Sequence, residues 1–274
     1  MVIIVLNVIN LIGDPILIFV LDWGLVGAAA ATTFSQWTGA LIFVWLLLGR
    51  RREEFGIEIE LPSPAELVPF LRIGGHLFIR TGALVGTMTM ATAVAARVGV
   101  TAVAAHQVAN QLWGFLALVV DALAVAAQAL VSKHLGSGRP DEARSVSNRL
   151  LQLGIGAGVV LAVGVWLLRP YLPLVFSDDP ETIRQVVDIF IFVALLQPLN
   201  GLVFVWDGVF MGAEDFLYLA VAMVISAAAA AGVLLAVLPM GWGLHGVWWG
   251  ITTLMLVRIL TLGWRYLRKP ELGV

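Results

Sequence analysis

Residues 216–238 read FLYLAVAMVISAAAAAGVLLAVL, and no charged side chain interrupts them. Crossing the hydrocarbon of a bilayer takes a helix of ~20 mostly apolar residues, and this stretch meets that length without help. Glu214 and Asp215 stand before it, and Pro239 to Gly243 follow it as turn punctuation. Working outward with the same window places further spans at 2–20, 25–48, 67–97, 101–134, 145–168, 182–211 and 243–267. The whole chain agrees: 60% of its 274 residues are hydrophobic and only 12% are charged. Soluble domains average ~45–50% and ~25%. So much apolar surface needs lipid as its solvent. The expected fold is all-α integral membrane, with about eight transmembrane helices.

The same composition excludes several functions. A net charge of −2 gives no electrostatic reason to expect nucleic acid as a partner. Cysteine is absent, which removes disulfides, thiolate metal sites and a cysteine nucleophile. His76, His106, His134 and His245 are scattered and show no metal-ligand spacing. No HExxH, GxSxG or GxGD occurs, so an enzyme is not expected. The N-terminus lacks the basic region and cleavage site of a signal peptide. Met1 instead opens directly into a helix, as an internal methionine would.

Positive charge sets the expected orientation. With the N-terminus cytoplasmic, the inner side holds Arg50, Arg51, Arg52, Arg72, Lys133, Arg139, Arg144, Arg149, Arg265, Arg268 and Lys269. The outer side holds Arg97, Arg169 and Arg184. Eleven against three puts both termini in the cytoplasm. Trp242, Trp248 and Trp249 then fall near the outer interface and read as membrane-anchoring aromatics.

Gly24-Leu25-Val26-Gly27 precedes the second span, and Gly243-Leu244-His245-Gly246 precedes the last. If these correspond, the repeat unit is six helices, and four spans are wanting on the N-terminal side. Other segments carry a wider likeness. They are Asn10 with Gly13-Asp14-Pro15, then Ala104-Ala105-His106-Gln107 with Asp121 and Ala126-Ala127-Gln128. Leu135-Gly136-Ser137-Gly138 with Ala143-Arg144 follows, then Asp207-Gly208 with Met211-Gly212-Ala213-Glu214-Asp215, and Gly243 to Trp248. In this order they resemble helices five to twelve of the multidrug and toxic compound extrusion (MATE) family, DinF-like branch.

The resemblance implies residues 1–48 as the last two helices of an N-terminal lobe and 49–66 as a cytoplasmic linker. Residues 67–274 would form a six-helix C-terminal lobe. It implies alternating-access efflux of small organic, often cationic, drugs in exchange for H+ or Na+, with no cofactor. The expected setting is a cell membrane (the bacterial inner membrane), with a missing N-terminal segment or second chain as partner. This chain departs from the family pattern: it has no first helix to carry a coupling acid, and Ile73 to Ala96 contains no acid. A non-transporting remnant and a lipid-linked oligosaccharide flippase stay open as alternatives.

Ionisable groups at membrane depth mark candidate sites, because each costs ~2.5–3.5 kcal/mol on insertion scales. Asp14, Asp121, Asp207, Arg80 and Arg258 qualify. Asp207 leads: Gln197, Asn200, Phe204, Asp207 and Met211 recur every three or four residues and share one helix face. Amides, an aromatic and a methionine around one carboxyl suit a deformable cavity that exchanges a proton or cation. The other reading of Asp207 is a salt bridge between helices. A second stripe carries Asn110, Asp121 and Gln128 with Gly114, Ala117 and Ala124 between them, and it equally suits close packing. A third face carries Arg80, Thr81, Thr87 and Thr89, with Arg80 a partner for Asp121 or Asp207. Asp14, beside Pro15, reads first as part of a broken-helix turn. His106 reads as a packed, hydrogen-bonded helix start.

Overall fold

The computed structural model describes residues 2–50 and 63–268. Most of the expected 49–66 linker, with Arg51, Arg52 and Lys269, lies outside the described residues. Eight helices are long and apolar enough to cross a membrane, and no strand occurs among the described residues. This is the outcome the solvent demands, since a helix satisfies its own backbone hydrogen bonds where no water can. The contacts divide the chain into two compact units, Met1–Glu66 and Leu67–Val274.

The first unit is a helix pair. Helix α1 runs Val2–Pro15 and continues as a π-helical turn, Ile16–Val20. Helix α2 runs Gly24–Trp45 and also ends in a π-helical turn, Leu46–Arg50. Asp22 and Gly24, with φ of 54° and 52°, make the tight turn between them. The two helices cross closely: a Cβ on Gly27 would lie 2.6 Å from the Leu17 carbonyl oxygen. The Ser35 hydroxyl donates to the Leu6 carbonyl at 2.7 Å, fixing the pair from the other end. Asn10, with its amide nitrogen turned toward Asp14, donates to both carboxylate oxygens at 3.0 and 2.8 Å.

The second unit holds α3 (Pro64–Val98) from Leu67 onward, α4 (Val100–Gly136), α5 (Pro140–Leu168), α6 (Pro180–Gly212), α7 (Phe216–Met240) and α8 (Gly243–Arg268). Helix α6 is its axis and packs on α4, α5, α7 and α8. Lipid offers helices no hydrophobic reason to associate, so close approach through small residues takes over. Gly154 of α5 and Gly201 of α6 meet backbone to backbone. A Cβ on the first would lie 2.6 Å from the Gly201 carbonyl oxygen, and one on the second 2.1 Å from that of Gly154. Gly208 stands equally close to α4, where its Cβ would be 2.1 Å from the Ala124 carbonyl oxygen.

Helix α3 joins this packing unevenly. Its buried side chains are Thr87, Ala91, Val94 and Ala95, all toward the α4 end. No described side chain from Ala65 to Ile79 is buried. At the opposite end of the unit, Arg265 of α8 donates to Asp215 at 2.8 and 3.0 Å and lies over the Tyr218 ring. The Tyr218 hydroxyl donates to the Thr261 carbonyl at 2.5 Å, and Tyr266 donates to Asn148 at 2.7 Å.

One expectation is corrected here. Trp248 is fully buried, while Trp242 and Trp249 are about half exposed. Trp248 turns inward against His106 and Phe192, at centroid distances of 5.9 and 6.5 Å. Position near a helix end does not decide which way a helical side chain faces. Trp248 packs in the lobe core and is no interfacial anchor.

The start of α6 shows how its axis is set. Asp179 caps the helix by accepting from the Thr182 amide at 2.9 Å and its hydroxyl at 2.6 Å, with Pro180 in the first turn. These hydrogen bonds, the hydroxyl's first, hold the Asp179 carboxyl below the usual carboxylate range. A carboxyl depressed by folding stabilises above its unfolded pKa and loses that contribution as pH falls through the folded one. Asp179→Ala should therefore speed hydrogen exchange at the Thr182 amide several-fold at neutral pH. The gap between variant and wild type should close on acidification past the carboxylate range. A gap unchanged by acid would remove the cap as its cause.

Candidate functional site

The α6 face singled out by spacing does exist, and most of it points into the lobe. Gln197 and Asn200 are fully buried, Asp207 nearly so, and Phe204 and Met211 are half-buried. Gln197 donates through Nε2 to the Val193 carbonyl at 3.0 Å. Its Oε1 and both polar atoms of Asn200 have no partner among the described residues. They flank Pro198, which has no N–H to give the preceding turn. Buried polar groups in this condition are where internal water is held.

About two turns further along the face, Asp207 is the hub of a three-helix ion cluster. Its Oδ2 accepts from Arg80 of α3 at 2.5 Å and also from Arg258 of α8. Side-chain exposure is 6% for Asp207, 3% for Arg258 and 17% for Arg80, so Arg80 is the open member. Arg258 also donates to the Met255 sulfur at 3.7 Å and stands 6.0 Å from the Phe204 ring. The Arg80 Nε is buried without a partner. The charged groups acting on Arg258 are Asp207 and Arg80. Two guanidiniums against one carboxylate leave the cluster at 2 − 1 = +1. That charge lies at depth: Arg258 is ten residues from the end of α8 at Arg268, ~15 Å along the helix.

The remaining candidates sit elsewhere. Asp121 and Gln128 are exposed, and Asn110 is half-buried. None of the three is hydrogen-bonded or ion-paired with Asp207, Arg80 or Arg258 among the described residues. Between Asp121 and Asp207, Arg80 takes Asp207 as its partner. Thr87 is buried and donates back to the Ala83 carbonyl at 2.8 Å, while Thr81 and Thr89 are exposed. Asp14 belongs to the first unit, held by Asn10. His106 is buried with Nε2 3.2 Å from the Thr92 hydroxyl, tying α4 to α3. No group of three or more His, Asp or Glu that could hold a metal ion occurs among the described residues.

Arg258 was legible as a cation at depth but carried no assigned place in the site. The signal that finds it is the buried stripe Ile251, Leu254, Met255, Arg258 and Leu262, whose spacing of three and four puts the arginine on the packed face of α8.

Comparison with known proteins agrees with this architecture. The MatE family model matches residues 81–238. The Arabidopsis thaliana "Protein DETOXIFICATION 44, chloroplastic" is 37% identical over 263 residues, covering 94% of this chain and 49% of that protein. The Burkholderia vietnamiensis "Multidrug resistance protein NorM" is 28% identical over 264 residues, covering 90% and 55%. Among solved structures, the "outward-facing conformation of a multidrug resistance MATE family transporter of the MOP superfamily" superposes with a TM-score of 0.89 at 19% identity. It covers all of this chain and 62% of its own. The chain thus spans about half the length of the curated relatives it matches. With the family model matched over 81–238 of its 274 residues, the chain belongs to the MatE family.

Proposed function

We propose that this chain works as part of a secondary active transporter that expels small organic solutes in exchange for H+ or Na+ by alternating access. The observation that carries the reading is the Arg80–Asp207–Arg258 cluster. Buried charge inside a membrane lobe is costly to keep, and such residues usually mark the path of a solute or coupling ion. The Burkholderia vietnamiensis relative, named a multidrug resistance protein, supports the same activity. The coverage of about half of each relative supports a further segment, on this polypeptide or a second one, that completes the central pathway. The setting is a cell membrane, with both ends of this stretch on the cytoplasmic side. No covalent chemistry is required of the lobe.

The test uses the native gene product, at whatever length the cell makes it. Intact mass should come out at roughly 45–50 kDa if four further spans of ~20 residues with loops are present, against 29.4 kDa for this stretch. Reconstituted in vesicles, it should move at least one of ethidium, tetraphenylphosphonium and succinate when a pH or sodium gradient is imposed. The flux should collapse when an ionophore dissipates that gradient. Gradient-independent leakage, or no flux of any probe, would sink the reading.

A further inference from the structure

A second acid of this unit stands at the height of the ion cluster and is held quite differently. Gly208 and Gly212 of α6 lie against Ala124 and Gln128 of α4, the same offset twice, so the two helices run side by side in one direction. That register sets Asp121 of α4 level with Val205, within a turn of Asp207. Asp207 is committed: one of its oxygens accepts from both Arg80 and Arg258. Asp121 is exposed and has no hydrogen bond or ion pair among the described residues. Along α4 it is the single Asp, Glu, Lys or Arg before Lys133, which lies ~18 Å further on.

An ionised carboxylate turned to hydrocarbon is costly, and carboxyls within spans face water or a bundle interior. The line of α4 that carries Asp121 also carries Asn110 and Gln128, eleven and seven residues away and so within roughly 20° of it around the helix. A polar line of this kind suits a wetted path. The residues one turn to either side are Ala117, Leu118, Ala124 and Val125, and none offers a side-chain oxygen. A sodium ion needs several oxygens around it, whereas a proton needs one. The charged groups at this height on the neighbouring helices are Arg80, Asp207 and Arg258, bound to one another, and Arg149 of α5, which donates to Gln152 at 3.2 Å.

We propose that Asp121 is the group of this lobe that takes up and releases the coupling proton. This rests on the transport reading above and sets its coupling ion as H+. The carboxylate accepts a proton from water on one side of the membrane and returns it to water on the other. As the neutral acid it lets its face of α4 close against apolar surface; ionised, it keeps that face wet. Asp207 stays with its two arginines throughout and positions α3 and α8.

The first measurement labels the native gene product in vesicles with dicyclohexylcarbodiimide, an apolar reagent that attacks protonated carboxyls, and locates the adduct by peptide mass spectrometry. Asp121 should be modified at least fivefold more in acid than in alkaline buffer, and Asp207 should be spared. The same vesicles then report coupling, using whichever of ethidium, tetraphenylphosphonium and succinate the wild type moves. Asp121→Asn should lower pH-gradient-driven flux tenfold or more and flatten the pH dependence of gradient-free exchange, while Asp121→Glu should keep both. No adduct at Asp121, an adduct indifferent to pH, or a wild type driven by sodium alone overturns the proposal. So does a folded Asp121→Asn variant that the pH gradient still drives, or one that has lost gradient-free exchange outright. Because the labelling is read on the wild type, a variant that fails to fold does not decide the matter. Labelling of Asp121 without flux of any probe would count against the transport reading and leave the proton site standing.

Discussion

Replacing Asp207 by alanine is expected to cost about 3–5 kcal/mol of folding stability. The variant removes the acceptor shared by two guanidiniums, Arg258, buried at 3% exposure, and Arg80, partly buried at 17%. Both charges then sit in the lobe with no compensation, and their mutual repulsion is no longer screened by a carboxylate between them. The loss should appear as a lowered melting temperature in detergent and a lowered midpoint in denaturant titration. The sharper check is the triple replacement Arg80→Met, Asp207→Leu and Arg258→Met. Removing all three charges together should recover most of what the single change loses, because apolar groups of similar volume need no partners. A triple variant as unstable as Asp207→Ala would mean that packing around position 207, and not charge balance, sets the loss.

Gly201→Ala should also be damaging, by about 1–3 kcal/mol. The added methyl would sit 2.1 Å from the Gly154 carbonyl oxygen, where neither partner is a side chain that can turn aside. The helices α5 and α6 would have to separate, and α6 carries Asp207. Gly232→Ala is the matched control. It lies within α7 with nothing within 4 Å of its added methyl, so it should be neutral or gain up to about 1 kcal/mol from helix propensity. Thermal melts of the two variants should move in different directions or by clearly different amounts. Equal shifts would show that the backbone contact between α5 and α6 is not limiting.

The transmembrane spans were legible in sequence because the bilayer imposes a length and a composition that short-range reading detects. Stretches such as 216–238 leave no alternative. The face of α6 was legible for the same kind of reason, a spacing of three and four around Asp207. What spacing along one helix cannot supply is the partner. Arg80 is 127 residues from Asp207 and Arg258 is 51, so their meeting depends on how six helices pack. Asp121 illustrates the converse: it lies on a stripe as regular as that of α6, yet it is exposed and has no ionic partner among the described residues. Trp248 misled because a tryptophan near a helix end usually sits in the headgroups, whereas this one faces the neighbouring helices.

Helix α3 behaves mechanically as a beam clamped at one end and pinned once along its length. The clamp is the buried run from Thr87 to Ala95 with the Thr92–His106 contact, and the pin is the bond from Arg80 to Asp207. Beyond the pin, no described side chain from Ala65 to Ile79 is buried to resist bending. The compliance of that free length, ~20 Å of helix, is therefore set by a single ion pair.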